Sequence, residues 1–170
     1  MRDPLAEPRL LIRRVYAYVA YRIGEGPEAE DVTSETFERA LRYRDSFDPR
    51  RGEPVTWLIG IARRCIADAA GRRHDVPADG LPERVSEGHE QRVVQRLDVT
   101  AALSALDERE RELIALRYGS DLTARQIAEV LDMRTNAVEV ALHRALARLR
   151  RELTAEEPAR PGELNPRPSP

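Results

Sequence analysis

Seven hydrogen-bonding side chains in the C-terminal half, Arg134, Thr135, Asn136, Glu139, His143, Arg144 and Arg148, include the types that read nucleic acid. Asparagine can pair with adenine, glutamate can accept from the cytosine amino group, and arginine forks onto guanine or phosphate. On a single helix the early residues would reach base edges in a major groove, and the later arginines would meet phosphates. From Arg134 to Arg151 five arginines (134, 144, 148, 150 and 151) stand against Glu139, and from Arg50 to Arg73 six (50, 51, 63, 64, 72 and 73) stand against Glu53 and Asp68. Two basic islands in an otherwise acidic or balanced chain suggest a protein that touches DNA as part of a larger assembly.

Positioning the C-terminal set requires two helices and a tight turn. Thr123-Ala124-Arg125-Gln126 fits a capping box, so a helix should start there. Ile127 and Leu131 fall on one face four residues apart, and Ala128 is small enough to let a second helix cross closely. Asp132-Met133-Arg134-Thr135 interrupts the pattern, with Asp132 where the chain must turn sharply and where Asp tolerates a left-handed conformation better than most side chains, although glycine is the commoner choice. Thr135 is the expected N-cap of the next helix, along which Val138, Leu142, Ala145 and Leu149 form the core stripe. The result is a helix-turn-helix pointing to double-stranded DNA. A solvated amphipathic hairpin in a bundle, its charge keeping an outer face wet, is the alternative for this segment.

Three helices are expected upstream. Leu10 to about Ile23 places Leu11, Val15, Tyr18 and Val19 on one face, before Gly24-Glu25-Gly26-Pro27 breaks it. Glu28 to Tyr43 spaces Val32, Thr36, Ala40 and Tyr43 for burial beside Phe37 and Leu41, with Glu28, Glu30, Asp31 and Glu35 complementing the helix dipole. After a turn-rich loop from Arg44 to Pro54, Val55 to about Arg73 buries Trp57, Leu58, Ile61, Cys65 and Ile66. His74 to Glu90, broken by Pro77, Gly80, Pro82 and Gly88, reads as a mobile acidic linker. Helices resume at about Gln91 to Leu106 and, behind an Asp107 cap with Glu110 in third position, at Glu108 to Tyr118. The tail from Thr154 to Pro170 holds five prolines and reads as disordered. The expected fold class is all-α, two small helical domains joined by a flexible linker.

Composition limits the alternatives. With 170 residues, 41% hydrophobic, 34% charged and 5% aromatic, the chain fits a soluble helical protein. A net charge of -2 argues against gripping DNA unaided over a large area. No apolar run is long enough to cross a bilayer and the N-terminus lacks a secretory pattern, so the cytoplasm is the expected location. Cys65 is the single cysteine, which excludes an internal disulfide or a multi-cysteine zinc site, and His74, His89 and His143 are dispersed. With no glycine-rich phosphate loop either, neither an enzyme nor a bound metal or cofactor is expected. All 28 basic residues are arginine, a bias that fits a GC-rich coding genome.

Three segments, AEDVTSETFERALRYRDSFDPRRG (29–52), WLIGIARR (57–64) and ALDERERELIALRYGSDLTARQIAEVLDMRTNAVEVALHRALARLR (105–150), resemble the extracytoplasmic-function (ECF) sigma factors of bacterial RNA polymerase. The resemblance implies sigma region two over 1–74, the linker over 75–90, region four over 91–153 and a tail over 154–170. Region two of the family binds the clamp helices of the largest polymerase subunit and melts the minus-ten element. By position, Asp31, Glu35, Thr36, Phe37 and Arg39 would face the clamp, and Arg50, Arg51, Trp57, Arg63 and Arg64 would lie along the minus-ten strand. Phe37 and Trp57 each suit the core as well as a contact surface. Region four binds the polymerase flap and reads the minus-thirty-five duplex, here through Arg134, Thr135, Asn136, Glu139, His143, Arg144 and Arg148. Glu139 and Ala141 replace residues commonly basic in the family, and Arg64 stands where asparagine is frequent, so a borrowed promoter consensus does not transfer.

The implied partners are core RNA polymerase, promoter DNA and an anti-sigma factor, which in the family can be membrane-bound; no small-molecule substrate is implied. The linker would let the halves close on each other or clamp a partner. Two rival readings stand beside this one: a free-standing helix-turn-helix regulator that binds its operator without polymerase, and a sigma-like decoy that titrates an anti-sigma factor.

Overall fold

The computed structural model describes residues 3–74 and 99–155, and all regular structure among them is helical. In the first half α1 is Pro8–Ile23, α2 is Pro27–Arg42, and a short 3-10 turn at Arg44–Ser46 precedes α3, Pro54–His74. Each of these three helices opens on proline, whose missing N–H is one that a first turn leaves unpaired anyway. In the second half residues 99–105 form α4, followed by α5, Glu108–Ile114, whose end widens into a π turn at Ala115–Gly119. The helix-turn-helix is α6, Ala124–Leu131, and α7, Thr135–Ala155.

Helical periodicity decides the first core. Leu11, Val15, Tyr18 and Val19 of α1 meet Ala29, Val32 and Ala40 of α2 and Val55, Leu58, Ile59, Ala62, Cys65 and Ile66 of α3. Buried Thr33 and Thr36 return their hydroxyls to the carbonyls of Ala29 and Val32, each at 2.7 Å, and so need no tertiary partner. In the second half Leu113, Leu116, Leu122, Ile127, Val138 and Leu142 pack together, and they are continuous with the first set in one core cluster. The seam is α1 against the π turn. A Cβ added at Gly119 would lie 2.9 Å from the backbone N and Cα of Tyr18, so the two backbones touch where only glycine fits.

Several sequence expectations shift in detail. Tyr43 lies beyond the end of α2 and Leu41 is one position off the Val32–Thr36–Ala40 line, and both are exposed. Trp57 and Ile61 are half-buried at the edge of α3, because the stripe of Val55, Leu58, Ile59, Ala62 and Ile66 takes the core. Thr135 is the first residue of α7 rather than its cap: Val138 N–H donates to the Arg134 carbonyl at 3.1 Å, giving Arg134 the N-cap position. α7 extends through Ala155, with the Thr154 hydroxyl on the Arg150 carbonyl at 2.7 Å, so the expected tail begins later than Thr154. The linker over 75–90, the helix start near Gln91 and the remaining tail lie outside the described residues.

Candidate nucleic-acid interface

The turn that aims α7 is built as its residues require. The Thr123 hydroxyl accepts from Gln126 N–H at 3.3 Å while Gln126 Oε1 accepts from Thr123 N–H at 2.8 Å, closing the capping box of α6. Asp132 takes the left-handed conformation, φ 51° and ψ 52°, and ends α6. Fully buried Ile127 and Val138 and buried Ala128 hold α6 and α7 together. With Val138, Leu142 and Ala145 turned inward, Arg134, Thr135, Asn136, Glu139, His143 and Arg144 are exposed, and none has a partner among the described residues. Asn136, Glu139 and His143 follow one another at three and four residues, so they line one face. A broad groove of about 690 Å³ runs beside Asn136 and Arg144 and is bounded by Arg109, Met133 and Val140.

Arg148 belongs to the same sequence stripe but not to the same surface. Its guanidinium pairs with Glu110 at 3.0 Å and donates to the Ala105 carbonyl at 3.2 Å, tying α7 to the start of α5. Glu110 also completes the Asp107 capping box, accepting from Asp107 N–H while Asp107 accepts from Glu110 N–H. Arg150 and Arg151 are exposed further along.

A second surface surrounds the loop before α3. Asp48 accepts from Arg50 N–H at 3.0 Å, an Asx-type turn that throws Arg50 and Arg51 outward. Phe47 and Trp57 meet with ring centres 5.5 Å apart and planes tilted by 57°. They line a cleft of about 250 Å³ together with Arg51, and its far wall is Glu129 and Val130 of α6. Arg64 is exposed without a partner among the described residues, but Arg63 turns to the other half of the molecule.

The α2 residues fare differently from one another. Asp31 is exposed, and Phe37 packs half-buried on the core. Glu35 and Arg39 pair with each other and with α3, Arg39 reaching Asp68 at 2.7 Å and Arg72 reaching Glu35 at 3.2 Å. The Asp68 hydrogen bond, outweighing burial and helped by Glu35, pushes the Arg39 guanidinium above its ordinary range, so its charge is permanent. Thr36 is a correction: fully buried, with its hydroxyl on the Val32 carbonyl, it is helix core and presents nothing to a partner.

One charged cluster escaped the sequence reading. Glu112 is buried between the halves, paired with Arg22 and with Arg63 Nε at 3.2 Å, and it accepts from the Tyr18 hydroxyl at 2.8 Å. Burial pushes the Tyr18 hydroxyl above its ordinary range, against the lowering pull of Arg22 and Arg63. Arg14 adds bonds to the Ser120 and Asp121 carbonyls at 2.6 and 3.1 Å. A signal existed: Arg14, Tyr18 and Arg22 repeat every four residues on α1, and Glu112 shares a helical face with apolar Leu116 and Gly119. Cys65 is fully buried and its thiol is pushed up by that burial, which makes it packing rather than chemistry.

Among the described residues no helix is long and apolar enough to cross a membrane. The family models for Sigma-70 region 2 and Sigma-70, region 4 match residues 9–75 and 96–149. The ECF RNA polymerase sigma factor SigD of Mycobacterium tuberculosis is 38% identical over 172 residues, covering 91% of this chain and 79% of that protein. The ECF RNA polymerase sigma factor ShbA of Streptomyces griseus is 37% identical over 137 residues, covering 71% of this chain and 69% of its own. Among solved structures, the sigma factor RpoE of Bartonella quintana, crystallised with the anti-sigma factor NepR, superposes with a TM-score of 0.69 at 20% identity, over 92% of this chain and 99% of that one. CnrH, solved with the cytosolic domain of CnrY, gives 0.62 at 24% identity over 88% and 83%; both likenesses concern the fold. Two sigma-region matches in order, sustained identity over nine-tenths of the length and a formed helix-turn-helix together place this chain in the ECF sigma factors of bacterial RNA polymerase.

Proposed function

We propose that this ECF sigma factor works as two DNA-binding halves on core RNA polymerase, region two over 1–74 and region four over 91–153, joined by 75–90. Region four reads the minus-thirty-five duplex with the early turns of α7. Asn136, Glu139 and His143 address base edges, while Arg134, Thr135 and Arg144 take phosphates and guanine. Region two takes the melted minus-ten strand along Arg50, Arg51 and Arg64, with the Phe47–Trp57 cleft receiving an unstacked base against aromatic rings. Arg63 joins that groove when it is released from Glu112. Asp31 and the Glu35–Arg39 pair on α2 meet the polymerase clamp, and Phe37 supports them from the core side.

Catalysis stays with the polymerase. The sigma factor is not an enzyme; it acts in the cytoplasm and is held in reserve by an anti-sigma factor, the kind of partner with which the similarly folded RpoE of Bartonella quintana was crystallised. The observation that carries this reading is the row of exposed polar side chains on α7 without internal partners, set behind a formed left-handed turn. In vitro transcription from a genomic promoter library, with core polymerase alone and with this protein, tests it. New specific starts that disappear with Arg144→Ala are expected. An operator bound equally well without polymerase would turn the reading to a free-standing regulator, and folded protein that yields no starts and no polymerase binding would turn it to a decoy.

A further inference from the structure

Val140 is the apolar exception on the outward face of α7, 51% exposed among Asn136, His143 and Arg144. At about 100° per residue, Asn136 and Arg144 lie about 40° to either side of it and His143 about 60° away. Val138, Leu142 and Ala145, which fill the core, lie about 140° or more from it. The valine thus stands opposite the packed stripe, at the centre of the exposed face, and core packing does not account for it. Neither does helix propensity, since a β-branched residue forms helix less readily than the alanine and arginine that abound in this chain. Val140 borders the groove along α7, whose lining also carries Arg109, Arg134 and Arg144. The acids of that groove, Asp107 and Glu110, are engaged in their capping box and with Arg148, so the charge it offers a ligand is positive.

We propose that Val140 is a specificity-determining residue of region four: it takes the C5 methyl group of a thymine in the minus-thirty-five duplex and so selects a T·A pair without a hydrogen bond. The proposal rests on the reading of that duplex by α7. Of the groups by which a major groove distinguishes base pairs, only the thymine methyl is apolar. A cytosine at the same place presents hydrogen there and leaves the valine in water. Branching at Cβ holds the valine methyls in essentially one rotamer on a helix, so little side-chain freedom is lost on contact. With a rise of about 1.5 Å per residue, Val140 lies about 6 Å along α7 from both Asn136 and Arg144, one to two base-pair steps of ~3.4 Å. On a helix lying along the groove, the thymine therefore falls within about two pairs of the adenine that Asn136 addresses.

Holoenzyme reconstituted from core polymerase and the full chain would first select its minus-thirty-five element from a randomised duplex pool. Each thymine of the selected element would then be replaced singly by deoxyuridine, which keeps every hydrogen-bonding group and lacks only the methyl. Competition binding is expected to show one thymine at which the exchange costs about three- to fivefold in affinity, as one methyl withdrawn from contact should. Val140→Ala should weaken binding of the thymine duplex to a similar extent and remove the deoxyuridine penalty at that position alone, while Val140→Ile should keep the penalty. The alanine substitution is at an exposed site and gains helix propensity, so the variant is expected to fold. An element with no such thymine, or a penalty that persists undiminished in Val140→Ala, would overturn the proposal; loss of selective binding in Arg144→Ala would then still uphold the minus-thirty-five reading. Selective binding untouched by both Arg144→Ala and Asn136→Ala would sink that reading and the methyl contact with it. Weaker core polymerase binding by Val140→Ala, with the deoxyuridine penalty unchanged, would overturn the proposal in favour of a protein contact.

Discussion

The exposed face of α7 and the arginine-bearing face of α3 began as equivalent basic islands, and the fold treats them in opposite ways. On α7 the first turns project into solvent, because their opposite side is filled by Val138, Leu142 and Ala145. On α3 the adjacent Arg63 and Arg64 separate: about 100° apart around the helix, one is drawn to Glu112 and Val130 of the other half and one is left in water. Arg144 and Arg148 repeat the lesson one turn apart on α7, since Glu110 pairs with only the second. A run of like charge in a sequence thus marks where cations are, and the neighbours across the fold decide which of them are available to a ligand.

The strongest way to break this comparison is at its buried anion. Glu112→Ala leaves the Arg22 side chain, 10% exposed, with only the solvent-exposed Glu108 carboxylate at 3.2 Å, and leaves Tyr18 without an acceptor. Breaking such a pair is expected to lower unfolding free energy by about 3 kcal/mol in urea titration. A loss under about 1 kcal/mol would mean that the node is as wet as a surface pair. Next, Arg144→Ala and Arg148→Ala should divide cleanly. The first should reduce transcription from the protein's own promoters by about tenfold or more with no change in Tm. The second removes a partly exposed clasp and should lower stability by at most about 1 kcal/mol. Equal transcriptional loss with equal stability in the two variants would restore a single DNA stripe and erase the distinction drawn between them. The smallest effect is at the turn. Asp132→Gly relieves a left-handed residue and is expected to leave stability unchanged or raise it by up to about 1 kcal/mol. A clear loss in thermal melts would show that the aspartate side chain itself supports the turn that aims α7.

Much of this was legible beforehand where residues interact with near neighbours. The Thr123–Gln126 and Asp107–Glu110 boxes, the left-handed Asp132 and the buried line of α1 all follow from spacings of three or four. Errors gathered at the edges of faces. Tyr43, Leu41, Trp57 and Ile61 are apolar enough to be placed inside, and only the packing of α3 on α2 decides that Ile59 and Ala62 go in first. Thr36 divides the two kinds of reading: its spacing placed it in the core, where it lies, while the family resemblance placed it on a contact face, although its hydroxyl is satisfied within its own helix.

The sequence by itself determined the described helices, the Thr123 and Asp107 caps, the turn at Asp132 and the outward row on α7, because each depends on side chains within one or two helical turns of each other. The tertiary structure alone decided that Gly119 abuts Tyr18, that Arg63 is held rather than free, and that Glu112 sits at the centre of the seam. Those contacts join residues far apart in the chain, 67 positions for Arg63 to Val130, 94 for Tyr18 to Glu112 and 107 for Arg14 to Asp121, and no local spacing specifies which cation a buried carboxylate will meet once the two halves have packed.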